Sequence, residues 1–216
     1  MTDTRPIFDA LDTQHPNAWT ELTFTNPYEL LAATILSAQC TDARVNQVTP
    51  ALFKKYPSPK ALARADNAAL EALIQPTGFF RMKARSLVGM ANAVVDLHKG
   101  TVPSDMDALV ALPGVGRKTA NVVRGHAFGL PGFPVDRHVL RVAGRIGLMS
   151  KKAAEDEVKT ETKLTTLLPP ERWTRASDTL ILHGRRICKP KPLCERCAVR
   201  AHCAYYRSHA PRRLPR

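Results

Sequence analysis

Apolar residues recur at three- and four-residue intervals along this 216-residue chain, and no stretch alternates apolar and polar residues convincingly over a strand length. An all-α fold is therefore expected, because each buried face repeats with the period of a helix. Asn26-Pro27-Tyr28-Glu29 reads as a helix start, with Asn26 as N-cap, Pro27 at the first helical position and Glu29 placed for a capping box. Leu30, Leu31, Thr34, Ile35 and Ala38 mark its buried face. Further helices are expected through Val45, Val48, Leu52 and Phe53; after Asp66 through Leu70, Leu73 and Ile74; and through Leu87, Met90, Val94 and Leu97, stopped by Gly100. Ser104 is the expected cap of a short helix that contains Leu109 and Leu112 and ends at Pro113-Gly114. The next helix turns Val122, Val123 and Ala127 inward and fades at Gly129.

Leu130-Pro131-Gly132-Phe133-Pro134 is the clearest break in the chain and the expected domain boundary. Beyond it helices are expected near 136–147, 152–168 and 171–187, the last burying Trp173, Leu180 and either Ile181 or Leu182. The expected organisation is two helical domains, a six-helix domain at 20–129 and a discontinuous one built from 1–19 and 130–216. Residues 211–216 are expected to be loose.

Formal charge is +13, which favours a polyanionic partner. Residues 181–216 hold ten of the cations against the single Glu195, so the excess is concentrated at one end. The first 13 residues include Asp3, Arg5, Asp9 and Asp12, which does not fit a secretory signal, and no apolar run approaches the ~18 residues of a membrane span. An intracellular protein without a membrane partner is expected.

The stretch Leu112-Pro113-Gly114-Val115-Gly116-Arg117-Lys118-Thr119-Ala120 is a glycine-punctuated turn running into a helix. Such a turn can aim backbone N–H groups at a phosphate, and the helix start adds a positive end. Lys118 is placed where partial desolvation and that positive end would lower its pKa, which makes it a candidate nucleophile. Lysines on helices are mostly solvated charges, so this reading depends on a partner group. Asp136, within Val135-Asp136-Arg137-His138, is an ordinary helix cap by local sequence and could also bring a carboxylate to the amine.

Cys188, Cys194, Cys197 and Cys203 fall within 16 residues, in the pattern C-x5-C-x2-C-x5-C. Four soft thiols at this spacing can hold either tetrahedral zinc or a [4Fe-4S] cluster, and spacing alone does not choose. Cys40 stands apart and is expected to be an ordinary buried thiol.

Taken in order, Leu36-Ser37-Ala38-Gln39-Cys40-Thr41-Asp42, Gly78-Phe79-Phe80, residues 112–123, Pro134-Val135-Asp136-Arg137-His138, Ile181-Leu182-His183-Gly184-Arg185 and the cysteine run resemble the endonuclease III family of DNA glycosylases over nearly the whole chain. The resemblance implies a helix-hairpin-helix with DNA lying in a groove between two helical domains. It makes Lys118 the amine that attacks sugar C1′ and Asp136 the carboxylate that assists it. It assigns Gly114, Val115 and Gly116 to the phosphate grip, Gln39 to the gap left by the extruded nucleotide and Phe79 to the opposite strand. It also favours a structural [4Fe-4S] cluster on the four cysteines, in a loop at 188–203 that presents Lys189, Lys191, Arg196 and Arg200 to phosphates. The family's usual first cysteine interval is six residues; here it is five.

The expected function is a bifunctional glycosylase and apurinic/apyrimidinic (AP) lyase that removes oxidised pyrimidines from double-stranded DNA, acting as a monomer. The alternatives are a monofunctional adenine glycosylase-like enzyme, disfavoured by Lys118, and a non-catalytic DNA-binding module. Gln39 could instead cap its helix, Phe79 or Phe80 could be core aromatics, Asp42 could be a cap, and Arg124-Gly125-His126 could be neutral surface.

Overall fold

The computed structural model describes residues 3–150 and 152–209, so the tail expected at 211–216 lies outside the described residues. Among the described residues the regular elements are all helical. They are α1 (Arg5–Gln14), α2 (Pro27–Leu36), α3 (Asp42–Lys55), α4 (Pro59–Ala63), α5 (Asn67–Ile74), α6 (Phe80–His98), α7 (Met106–Val110), α8 (Arg117–Phe128), α9 (Arg137–Ile146), α10 (Glu157–Thr165), α11 (Trp173–Arg186) and α12 (Ala204–His209), with short 3-10 turns between some of them. No described helix is long and apolar enough to cross a membrane.

The chain divides into two compact units, Thr20–Gly132 and Met1–Trp19 with Phe133–Arg216. The first unit holds α2 to α8, seven helices where six were expected. The extra one is α4, whose five residues are too short for periodicity to register, although Ser58-Pro59 carries its cap and first-turn signal. α2 is the centre of this unit: apart from Glu29, every residue from Tyr28 to Leu36 is buried. A helix apolar on all sides needs cover on all sides, and α3, α6 and α8 all pack against it. Its start follows the sequence, since the Asn26 side chain accepts from the Glu29 N–H while Glu29 reaches back to the Thr25 N–H at 2.7 Å.

In the second unit α9 lays Val139, Val142, Ala143 and Ile146 against α11. The crossing is close at Gly184, where a Cβ would stand 2.7 Å from the Cβ of His138. α1 was not anticipated from the sequence, though Ile7, Phe8 and Leu11 form its buried face. Polar contacts then fix it to α11. Arg172 pairs with Asp9 and Asp12, and Arg175 pairs with Asp12 and donates to the carbonyls of His15 and Ala18 beyond the end of α1. On α11 itself Leu180 and Leu182 are buried, whereas Trp173 and Ile181 are only half-buried.

Candidate functional site

The glycine turn is built by α7, two tight backbone bonds and α8. Asp105, not Ser104, caps α7, its carboxylate accepting from the N–H groups of Asp107 and Ala108 at 3.0 Å each. The Leu112 N–H then donates to Leu109 and the Val115 N–H to Leu112, both at 3.1 Å. Gly114 sits at φ +77, and a Cβ there would lie 2.6 Å from the Ser86 Cβ, so both backbone conformation and space demand glycine. Val115 buries its side chain in the core and uses its N–H inside the turn. Gly116 is the N-cap of α8, which puts the Lys118 amide in the first turn, at the positive end of the helix.

Lys118 itself is exposed. The partial desolvation expected from sequence is therefore not met, because a side chain in the first turn of α8 projects from the end of a helix whose buried face is Ala120, Asn121 and Val123. Arg124-Gly125-His126 is likewise not neutral surface. Gly125 and His126 are buried, and Arg124 donates to the Ser104 carbonyl at 2.6 Å, tying α8 to the chain ahead of α7.

Gln39 and Phe79 belong to the same unit. Helix α2 ends at Leu36 with Ser37 as its C-cap, so Gln39 is not a cap; it lies exposed in the following turn at φ +52. Phe79 precedes α6 at φ +48 and is 60% exposed, while Phe80 packs against the core. Thr41 caps α3, and Asp42 is its first residue. Cys40 is half-buried rather than buried, packed against the edge of the same core.

In the other unit Asp136 caps α9, its Oδ1 accepting from the N–H groups of His138 at 2.7 Å and Val139 at 3.0 Å. The loop leading to it is held by the buried Ser177 hydroxyl, which donates to the Pro134 carbonyl at 2.5 Å. His138 lies behind the cap with Arg141 Nη2 at 3.0 Å from its Nδ1. Burial keeps His138 below the ordinary histidine pKa; Asp136 opposes this, while Arg141, Arg185 and Arg137 reinforce it.

All four clustered cysteines are free thiols and line one small pocket together with His183 and Arg145. Burial pushes the Cys197 thiol up to about 11 and raises that of Cys194, with the neighbouring thiols adding to the shift. The loop has a defined path despite its short first interval. The Leu193 N–H donates to Ile187, Arg145 donates to the carbonyls of Lys189 and Pro190, and Arg141 donates to the carbonyl of Cys188. The Gln14 side chain accepts from the Ala198 N–H and donates to the Arg196 carbonyl. A line of neutral, buried imidazoles runs from His15 Nε2 to His183 Nδ1 at 3.0 Å and from His183 Nε2 to Cys197 Sγ at 3.5 Å. Burial and His15 push His183 down to about 4. Lys189 and Lys191 are exposed on the loop, as are Arg196 and Arg200, the last paired with Glu195 at 2.7 Å. Gln14, His15, Arg141 and Arg145 lie far from the cysteines in sequence, so local motif reading had no means of finding them.

Among the described residues no three His, Cys, Asp or Glu side chains converge tightly enough to hold one metal ion. Four thiols lining one pocket nonetheless form a donor set that could hold either a single tetrahedral zinc or a polynuclear iron–sulfur cluster. Metal cations would supply the charge that lets buried thiols ionise, and His183 Nε2 stands 3.5 Å from the Cys197 sulfur.

A family profile described as "HhH-GPD superfamily base excision DNA repair protein" matches residues 32–170. The chain is 48% identical to the endonuclease III of Synechocystis sp. over 191 residues, 88% of this chain and 86% of that one. Two solved structures are similar at a TM-score of 0.90 and 39% identity. One is a non-covalent endonuclease III–DNA complex, covering 96% of this chain and 98% of that one. The other is a trapped endonuclease III–DNA covalent intermediate with an estranged adenine, covering 98% and 100%.

Proposed function

This chain belongs to the HhH-GPD superfamily of base excision DNA repair proteins and to its endonuclease III family, and from that membership we infer a bifunctional DNA glycosylase and AP lyase of base excision repair. Its substrate is double-stranded DNA carrying an oxidised pyrimidine or an abasic site, and it acts as a monomer. The observation that carries the reading is Lys118 in the first turn of α8, directly after a hairpin that only glycine can close, in a fold shared with an endonuclease III trapped covalently on DNA.

The hairpin grips a phosphate through the amides of Gly116 and Lys118 and the backbone at Gly114, while Val115 anchors the turn to the core. These contacts position the duplex without reading its sequence. The target nucleotide leaves the stack at a cost of roughly a few kcal/mol, less when the base is damaged. Gln39 then occupies the gap and Phe79 meets the opposite strand. Lys189 and Lys191 contact phosphates from the cysteine loop.

The chemistry follows from an amine and a carboxylate. The Lys118 Nζ, giving up a proton, forms a bond to C1′ as the C1′–N bond to the base breaks, and the base leaves with the electron pair and gains a proton. Asp136 assists by accepting a proton from the amine and by stabilising positive charge on the sugar. Opening of the sugar ring gives a Schiff base between Nζ and C1′. Loss of a proton from C2′ then expels the phosphate on the 3′ side. Cys188, Cys194, Cys197 and Cys203 hold a [4Fe-4S] cluster that supplies a structural crosslink to the C-terminal segment.

Borohydride trapping on duplex DNA containing an oxidised pyrimidine or an abasic site tests the reading. Wild type should form a covalent adduct and Lys118→Ala should not. Absence of both adduct and base release from wild type refutes the enzymatic assignment.

A further inference from the structure

Lys83 is a charged side chain in a place that charges avoid. It lies on α6 with only 3% of its surface exposed, and burial holds its pKa below the ordinary lysine value. Its ammonium donates to two carbonyls that are distant in sequence: Leu36, the last residue of α2, at 2.8 Å, and Thr77, the last residue of the 3-10 turn before α6, at 2.7 Å. Both carbonyls are chain ends of helical segments, where a cation is favoured and an unmet acceptor is costly.

Each carbonyl stands at the root of a turn that carries an exposed side chain. Three residues beyond Leu36 is Gln39, and two beyond Thr77 is Phe79. Both are exposed, and both occupy the left-handed region without being glycine. Among the described residues the other left-handed non-glycine residue is Lys99, the C-cap of α6, an ordinary place for that conformation. A bulky side chain in this region costs energy and persists only where its surroundings hold it. One ammonium therefore fastens the roots of both strained segments.

We propose that Lys83 is a positioning residue for DNA engagement, a buried clamp that sets the turns presenting Gln39 and Phe79 as one unit. The inference rests on the proposed function, in which these two side chains enter the duplex. It adds that their relative placement is fixed by Lys83 and not by either turn alone. Thr77 contributes to the same joint, since its hydroxyl donates to the Ile74 carbonyl at 2.8 Å and holds the second root to the end of α5.

The test uses the full chain with Lys83→Met, which keeps much of the length and apolar stem, and Lys83→Arg, which keeps a charged donor. Two substrates separate positioning from general damage. Excision from a lesion-containing duplex needs a gap filled and an opposite strand met, whereas cleavage of a single-stranded abasic oligonucleotide needs neither. Lys83→Met should lower kcat/KM on the duplex at least tenfold while single-strand cleavage stays within about twofold of wild type. Lys83→Arg should recover part of the duplex rate.

Amide hydrogen exchange in the absence of DNA supplies a second measurement. Exchange should quicken at least tenfold in both residues 37–41 and 78–80 of Lys83→Met, with α8 unchanged. Equal loss on the two substrates, or faster exchange in only one segment, overturns the proposal. If Lys83→Met does not fold, Lys83→Gln takes its place in the same comparisons, and wild-type behaviour of that variant in every measurement overturns the proposal. Gln39→Ala and Phe79→Ala separate the two layers. If neither affects duplex excision, the assignment of these residues to DNA falls; if they do and Lys83→Met does not, the clamp falls.

Discussion

Asp136 is the residue at which a structural and a chemical role must be told apart, and two substitutions do so. Its carboxylate accepts two first-turn N–H groups of α9, at 2.7 and 3.0 Å. Replacing it with alanine leaves both amides without this partner, for which a cost of about 1–2 kcal/mol is expected. For a chain of this length that lowers the Tm by about 2–8 °C. Asparagine keeps an acceptor oxygen in the same place and forfeits mainly the charge at the helix start, about 0.3–1 kcal/mol. The chemical role ranks the variants differently, because an amide cannot accept the amine proton or balance a developing cation. Asp136→Asn and Asp136→Ala should both lose about 10²–10³-fold in single-turnover base release, the scale of losing one electrostatic stabiliser. Thermal unfolding and single-turnover kinetics on a duplex lesion give the two readouts. Asp136→Asn with wild-type kinetics would reduce the residue to a cap. Asp136→Ala with wild-type Tm would refute the capping argument.

Gly114→Ala should destabilise the first unit by about 2–4 kcal/mol, from the left-handed backbone and the approach to Ser86. A double-mutant cycle with Ser86→Gly should return about 1–3 kcal/mol of that as favourable coupling in urea unfolding, and zero coupling would contradict the clash. His138 is held below the ordinary histidine pKa chiefly by burial, so the unfolded chain takes up a proton near pH 6.5 that the folded chain refuses. Stability should thus fall as pH drops below about 6.5, and the Tm of His138→Gln should fall less steeply than that of wild type between pH 7.5 and 5. Purified protein should be yellow-brown with about four irons per chain, and Cys197→Ser should bleach it. A colourless protein carrying zinc would overturn the cluster assignment.

The sequence by itself determined the helical class and most helix starts and stops. These rest on short-range physics. A cap, a Pro at a first turn, a glycine at positive φ and a three-to-four periodicity all act within a few residues, which is why Asn26, Asp136, Gly114 and Gly129 read correctly. The glycine turn and the cysteine spacing marked Lys118 and the four cysteines as candidates, and family resemblance gave those candidates proposed roles. The errors also have local causes: α4 is one short turn, α1 mixes its apolar face with charges, and Asp105 outcompetes the adjacent Ser104 as a cap. Tertiary structure decided what depends on long-range contact. It left Lys118 exposed, turned Phe79 outward and Phe80 inward, and drew Gln14, His15, Arg141 and Arg145 around a loop far away in sequence. It also buried Lys83, which a sequence reading would leave on the surface. Burying that ammonium is tolerable only because Leu36 and Thr77, residues from two separate turns, bring their carbonyls to it.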